Sequence, residues 1–201
     1  METTKDSESF DERQSILVIK EMIQVSQKKL KNDGILFILW GWLMFYVSIT
    51  GFLFKKFSVA WHIQNLIGWS AMIFLIAGLI FTIYYLIQKR KKLKTYIGIS
   101  LRYVWLAMLG SLILINLIQH NILHKTDFLL QQSIYMVVIG YAVITTGAIL
   151  RHGLITIGGV AFALLALLAS YSIANQFLIE AIAWLIAFVI PGHILYAKRK
   201  S

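Results

Sequence analysis

Residues 63–94 read IQNLIGWSAMIFLIAGLIFTIYYLIQKRKKLK. The first twenty-five, Ile63 to Ile87, carry no charged side chain, whereas the next seven include Lys89, Arg90, Lys91, Lys92 and Lys94. A helix rises about 1.5 Å per residue and the hydrocarbon core of a bilayer is about 30 Å thick, so roughly 20 mainly apolar residues suffice to cross it. The run is long enough to do so, and the basic cluster marks where it meets water. Its hydrophobicity is continuous rather than alternating, which separates it from a strand of a membrane barrel. Inside lipid a helix satisfies every backbone N–H and C=O within the segment.

Five more runs of the same kind fill the chain from Gly34 onward. Their expected bounds are about Ile35–Phe54, Ile97–Ile118 (or Tyr103–Ile122 in a shifted register), Ser133–Leu150, Leu154–Ile173 and Phe177–Ala197. The fold class this predicts is all-α, a polytopic membrane protein with six transmembrane helices over residues 34–197. Short connections place sequential helices antiparallel. The third register decides whether Arg102 lies deep or near an interface, and its side chain can snorkel from either position.

Lysine and arginine set the orientation. Of nineteen such residues, sixteen fall on one side of the predicted spans: Lys5, Arg13, Lys20, Lys28, Lys29, Lys31, the cluster after Ile87, Arg102, Arg151, Lys198, Arg199 and Lys200. Lys55, Lys56 and Lys125 fall on the other. The positive-inside bias predicts a plasma or inner membrane location with both termini cytoplasmic. This distribution also accounts for the net charge of +10, so no nucleic-acid partner is expected.

Ahead of the spans, residues 1–8 read as a disordered polar tail with no basic and apolar run of a cleaved signal peptide. Residues 9–33 predict a cytoplasmic amphipathic helix at the membrane interface. Ser9 and Glu12 have capping-box spacing, and Ile16, Ile19, Ile23 and Leu30 form an apolar stripe with Val18 and Met22 beside it. Acidic residues open this helix and Lys28, Lys29 and Lys31 close it, as its dipole favours. Asn32, Asp33 and Gly34 stop it. The Lys-rich end suits anionic lipid. Residues 198–201 form a basic cytoplasmic tail.

The chain has no cysteine, which excludes disulfides, Cys-ligated metal centres and thiol catalysis. No phosphate-binding loop, dinucleotide glycine pattern, zinc-protease helix or serine elbow is present. No catalytic residue and no cofactor is therefore expected, and the protein is read as a non-enzyme.

Three groups of residues stand out. His120 and His124, four apart, share one face if the third helix continues through them. With Glu180 on the same side of the membrane, and Asp127 nearby, they are candidate metal ligands. Pro191, Gly192 and His193, with His152 on the same side, are a candidate pathway or hinge, because Pro191 frees the Ala187 carbonyl and should bend the sixth helix. Gly140, Gly147, Gly159, Ala163 and Ala166 are small residues whose spacing lets helices approach closely in lipid. Asn116 and Asn175 need only interhelical or water contact.

The functional expectation is an accessory, scaffold or regulatory component of the membrane. Its partners would be membrane lipids and a membrane or cytoplasmic protein, or a second copy of the chain. A small transporter or channel for a solute is the alternative.

Overall fold

The computed structural model describes Gln14, Leu17 and residues 34–88, 96–124 and 128–200. Among these residues there is helix and no strand. Six helices are long and apolar enough to cross a bilayer, as expected of a multi-pass membrane protein. They are α1 (Ile35–Lys56), α2 (Trp61–Gln88), α3 (Tyr96–Leu123), α4 (Phe128–Leu150), α5 (Gly153–Tyr171) and α6, which covers Ile173–Ala197. The third helix spans both registers considered from sequence, and Arg102 lies exposed near its start. The predicted amphipathic helix, residues 9–33, lies outside the described residues except for Gln14 and Leu17, which are helical and exposed. The tail of residues 1–8 is also outside them.

Helices α1, α4, α5 and α6 form the packed centre, with α2 laid against α1 and α3 against α4. The ring cluster of Phe162 on α5 with Trp184 and Phe188 on α6 fills the middle, with centroid separations of 5.0, 4.5 and 6.1 Å. Phe37 of α1 and Trp105 of α3 close on Phe188 from either side, at 5.4 and 6.3 Å. Edge-on and tilted ring pairs of this kind add attraction beyond their burial. That matters in lipid, where apolar burial alone gives no preference for protein neighbours.

Small residues bring the backbones together. A Cβ on Gly41 of α1 would come within 2.8 Å of Val189 Cγ2 on α6, and one on Gly158 of α5 would lie 3.0 Å from Ala187 Cα. Between α4 and α5, the same construction on Gly159 meets the Ile144 backbone nitrogen at 2.6 Å.

The α4–α5 turn is equally tight. Arg151 adopts a left-handed φ of 50°. Its N–H donates to the Ala148 carbonyl at 3.1 Å, and the His152 N–H donates to the Gly147 carbonyl at 2.9 Å. These are the two bonds of a Schellman motif, and they send the chain directly back along α4.

The outer helices are held more lightly. Trp40 donates to Thr82 at 3.0 Å, and Tyr46 shares a 2.8 Å hydrogen bond with Ser70, which fastens α2 to α1. Most of α2 remains uncovered: Trp61, Leu66, Trp69 and Ile80 are each more than half exposed, and so are Tyr103, Leu106 and Ile113 of α3. Such apolar surfaces suit acyl chains.

Candidate functional site

The sixth span is the irregular one. It starts with a 3-10 turn at Ile173–Asn175, continues as α-helix over Gln176–Trp184, widens into a π turn at Leu185–Val189 and resumes at Ile190. The Ile190 N–H donates back five residues to the Leu185 carbonyl. Pro191 lacks an N–H and its ring crowds the carbonyl four residues earlier. Accommodating one extra residue in the turn before it relieves that conflict without unwinding the helix. The π turn thus lies immediately before Pro191, where the sequence predicts a bend.

Two polar rungs join α6 to α4 on the N-terminal side of that turn. Gln132 donates its side-chain amide to Glu180, and Gln176 donates to Ser133 at 3.1 Å. Glu180 and Gln176 are four apart and so share one helix face. The Trp184 indole N–H donates to the other Glu180 oxygen at 3.3 Å. Glu180 thus accepts uncharged donors from α4 and from its own helix. Ser48 and Gln176 are buried, while Glu180 and Gln132 are partly exposed. At the same end, Lys55 donates to the Ile173 carbonyl at 2.6 Å and lies 6.0 Å from the Phe177 ring centre.

A second polar cluster joins α3 to α4. Asn116 donates to the Tyr135 hydroxyl, and Gln131 donates to both Asn116 and Tyr135. The Tyr135 hydroxyl in turn reaches the Leu112 carbonyl at 3.3 Å. Asn116 therefore serves as an interhelical hydrogen-bonding residue. Asn175 is exposed and bonds Ser172 at 3.3 Å.

The candidate metal ligands are not assembled. Helix α3 ends at Leu123, and His124 adopts a left-handed φ of 51° beyond it, so the two histidines do not share one helical face. His120 and His124 are both exposed, and Glu180 is engaged by Gln132 and Trp184. Among the described residues no group of three metal-binding side chains occurs. Asp127 lies outside them.

The candidate hinge residues divide. Pro191 and Gly192 are buried, and a Cβ on Gly192 would meet the Ile38 backbone nitrogen at 2.9 Å. Gly192 thus makes room for α1 rather than for a ligand. His193 is exposed: its Nδ1 lies 2.8 Å from the Val189 carbonyl, and its ring stands edge-on to Trp42 at 6.4 Å. His152 is buried in the α4–α5 turn, where its carbonyl accepts the Ile155 and Thr156 N–H groups.

The small residues sit at backbone crossings. Gly140 faces Ala163 and Gly159, Gly147 faces Thr156, and Ala166 is buried in the core. Gln131, Gln132 and Ser48 were not singled out from sequence. The two glutamines precede the expected start of the fourth span at Ser133, yet α4 begins at Phe128 and draws them into the bundle. The signal was their four-residue spacing to Tyr135 and Met136, which places them on the helix's buried side.

Comparison with protein-family models, curated proteins and solved structures found no match for this chain.

Proposed function

We propose that this chain is a non-enzymatic component of the plasma or inner membrane, acting as an accessory, scaffold or regulatory protein. Both termini face the cytoplasm in this reading. The observation that carries it is the filled centre of the bundle, where Phe162, Trp184 and Phe188 interlock among α1, α3 and α5. A solid aromatic core favours holding a shape over passing a solute. The Lys and Arg asymmetry supports the orientation.

The amphipathic segment of residues 9–33 then lies at the cytoplasmic surface, contacting lipid headgroups or a protein partner. Extraction in native lipid followed by mass spectrometry tests the proposal. A stoichiometric protein partner, or a second copy of this chain, is expected. Replacing Ile16, Ile19 and Ile23 with Ser should release that association while insertion continues. Unchanged association would count against the surface helix as the contact.

A second reading, a small transporter or channel, is favoured by the widened turn of α6 beside Pro191. Broken helices often form binding sites in transporters. It predicts solute- or pH-dependent flux in proteoliposomes, and no flux across a broad solute panel would contradict it. In this reading His193→Ala is expected to weaken that flux.

A further inference from the structure

Helix α4 divides into two sides along its length. Met136, Ile139, Val143 and Leu150 are buried in the bundle, while Leu130, Val137, Tyr141, Thr145 and Ala148 are exposed. The exposed residues recur at helical spacing, so they form one stripe. Acyl chains can cover the aliphatic part of it. Tyr141 is the exception.

Tyr141 is 63% exposed and stands thirteen residues after Phe128 and nine before Leu150, near the middle of the span. Among the described residues no group bonds its hydroxyl; only its backbone carbonyl is engaged, by Thr145. Tyr46 and Tyr135, by contrast, are hydrogen-bonded inside the bundle. Side chains on a helix lean toward its N-terminus. The exposed Trp42, Trp69 and Tyr103 stand seven or eight residues after the first residues of their helices, so each leans toward the nearer membrane face. Tyr141 leans toward the farther one, about 20 Å away at 1.5 Å per residue.

A hydroxyl without a partner in hydrocarbon is costly. Lipid supplies none at this depth, because headgroups stay at the interface and acyl chains carry neither donor nor acceptor. A second copy of the chain does supply one. A phenolic hydroxyl both donates and accepts. Two copies inserted the same way and related by a two-fold axis along the membrane normal hold their Tyr141 hydroxyls at one depth, where one donates to the other. This electrostatic complementarity of a surface with itself is what a closed two-fold interface requires. An unlike partner would have to bring its own polar group to that level. Thr145 adds no unmet donor, since its Oγ1 donates to the Tyr141 carbonyl at 2.8 Å, and Ala148 leaves room for close approach.

We infer that α4 pairs with α4 of a second copy of this chain along Val137, Tyr141, Thr145 and Ala148, with the two Tyr141 hydroxyls hydrogen-bonded to each other. The inference rests on the accessory reading above and names its partner.

The test uses the full chain in proteoliposomes. Copies labelled with donor or acceptor dye at Ser201→Cys are mixed, and lipid is added in steps. Energy transfer that follows the acceptor fraction as a dimer does, and survives dilution, is expected. Tyr141→Phe removes only the hydroxyl and should weaken pairing roughly threefold to tenfold, while Tyr103→Phe should leave it unchanged. Separately, Val137→Cys and Ala148→Cys in native membranes should each form a disulfide-linked dimer under mild oxidation, and Leu164→Cys on the exposed face of α5 should not. The inference is overturned by energy transfer no greater than random proximity gives, or by Tyr141→Phe pairing as tightly as the wild type. Crosslinking at 164 equal to that at 137 and 148, or crosslinks from 137 and 148 to a different protein, also overturns it. Solute flux in the same vesicles would count against the accessory reading alone, so the two fail separately.

Discussion

Gly192 of α6 lies so close to Ile38 of α1 that a Cβ on the glycine would stand 2.9 Å from the Ile38 backbone nitrogen. The first and last spans of the chain are thereby joined along their length. Further along the same seam, Gly41 meets Val189 and Gly51 meets the Phe177 ring. At Gly192 and Gly41 the backbones themselves approach closely, and close van der Waals packing of this kind drives helix association in a bilayer.

Enlarging those glycines should be costly. Gly41→Leu and Gly192→Leu are each expected to destabilise the bundle by about 1–3 kcal/mol, the usual range for overpacking, read as a lower unfolding midpoint in detergent titration. Gly68→Leu and Gly110→Leu are internal controls, since nothing approaches within 4 Å of a Cβ at either position. They should leave the midpoint unchanged.

Phe188 occupies the central position in the ring cluster, touching Phe37, Trp105, Phe162 and Trp184. Phe188→Ala should cost on the order of 3–5 kcal/mol, as buried aromatic truncations do. Leu66→Ala on the exposed face of α2 should cost far less. Equal losses in the two variants, measured by the same unfolding titration, would mean that the cluster is not the core.

The attachment of α3 depends on a different interaction. Asn116→Leu should remove the links to Tyr135 and Gln131 and cost about 0.6 kcal/mol, with an upper bound near 1.7, the range of interhelical hydrogen bonds measured in membranes. Disulfide trapping between α3 and α4 through introduced cysteine pairs should become less efficient in this variant.

The spans were legible in the sequence because bilayer thickness imposes a length and lipid imposes a composition, and a run such as Ile63–Ile87 meets both. Close-packing positions such as Gly140 and Gly159 were legible through their spacing. Helix neighbours were harder to read. Apolar residues face lipid and protein alike, so the pattern of α2 carries no sign that one side meets α1 and the rest meets acyl chains. Glu180 stood out as an ionisable residue in an apolar span, but its partners did not. Gln132, which donates to it, lies before the expected start of the fourth helix at Ser133. The proposed histidine pair assumed that α3 continued through His124, a boundary that apolar periodicity does not determine.

The crossing number and the shared side of the two ends underlie the whole account, and the absence of cysteine makes them directly measurable. Single replacements Ser7→Cys, Ser58→Cys, Ser172→Cys and Ser201→Cys can each be labelled in intact cells with a membrane-impermeant maleimide. The account predicts labelling at 58 and 172, and at 7 and 201 only after the membrane is permeabilised. Labelling of one terminus but not the other in intact cells would contradict it.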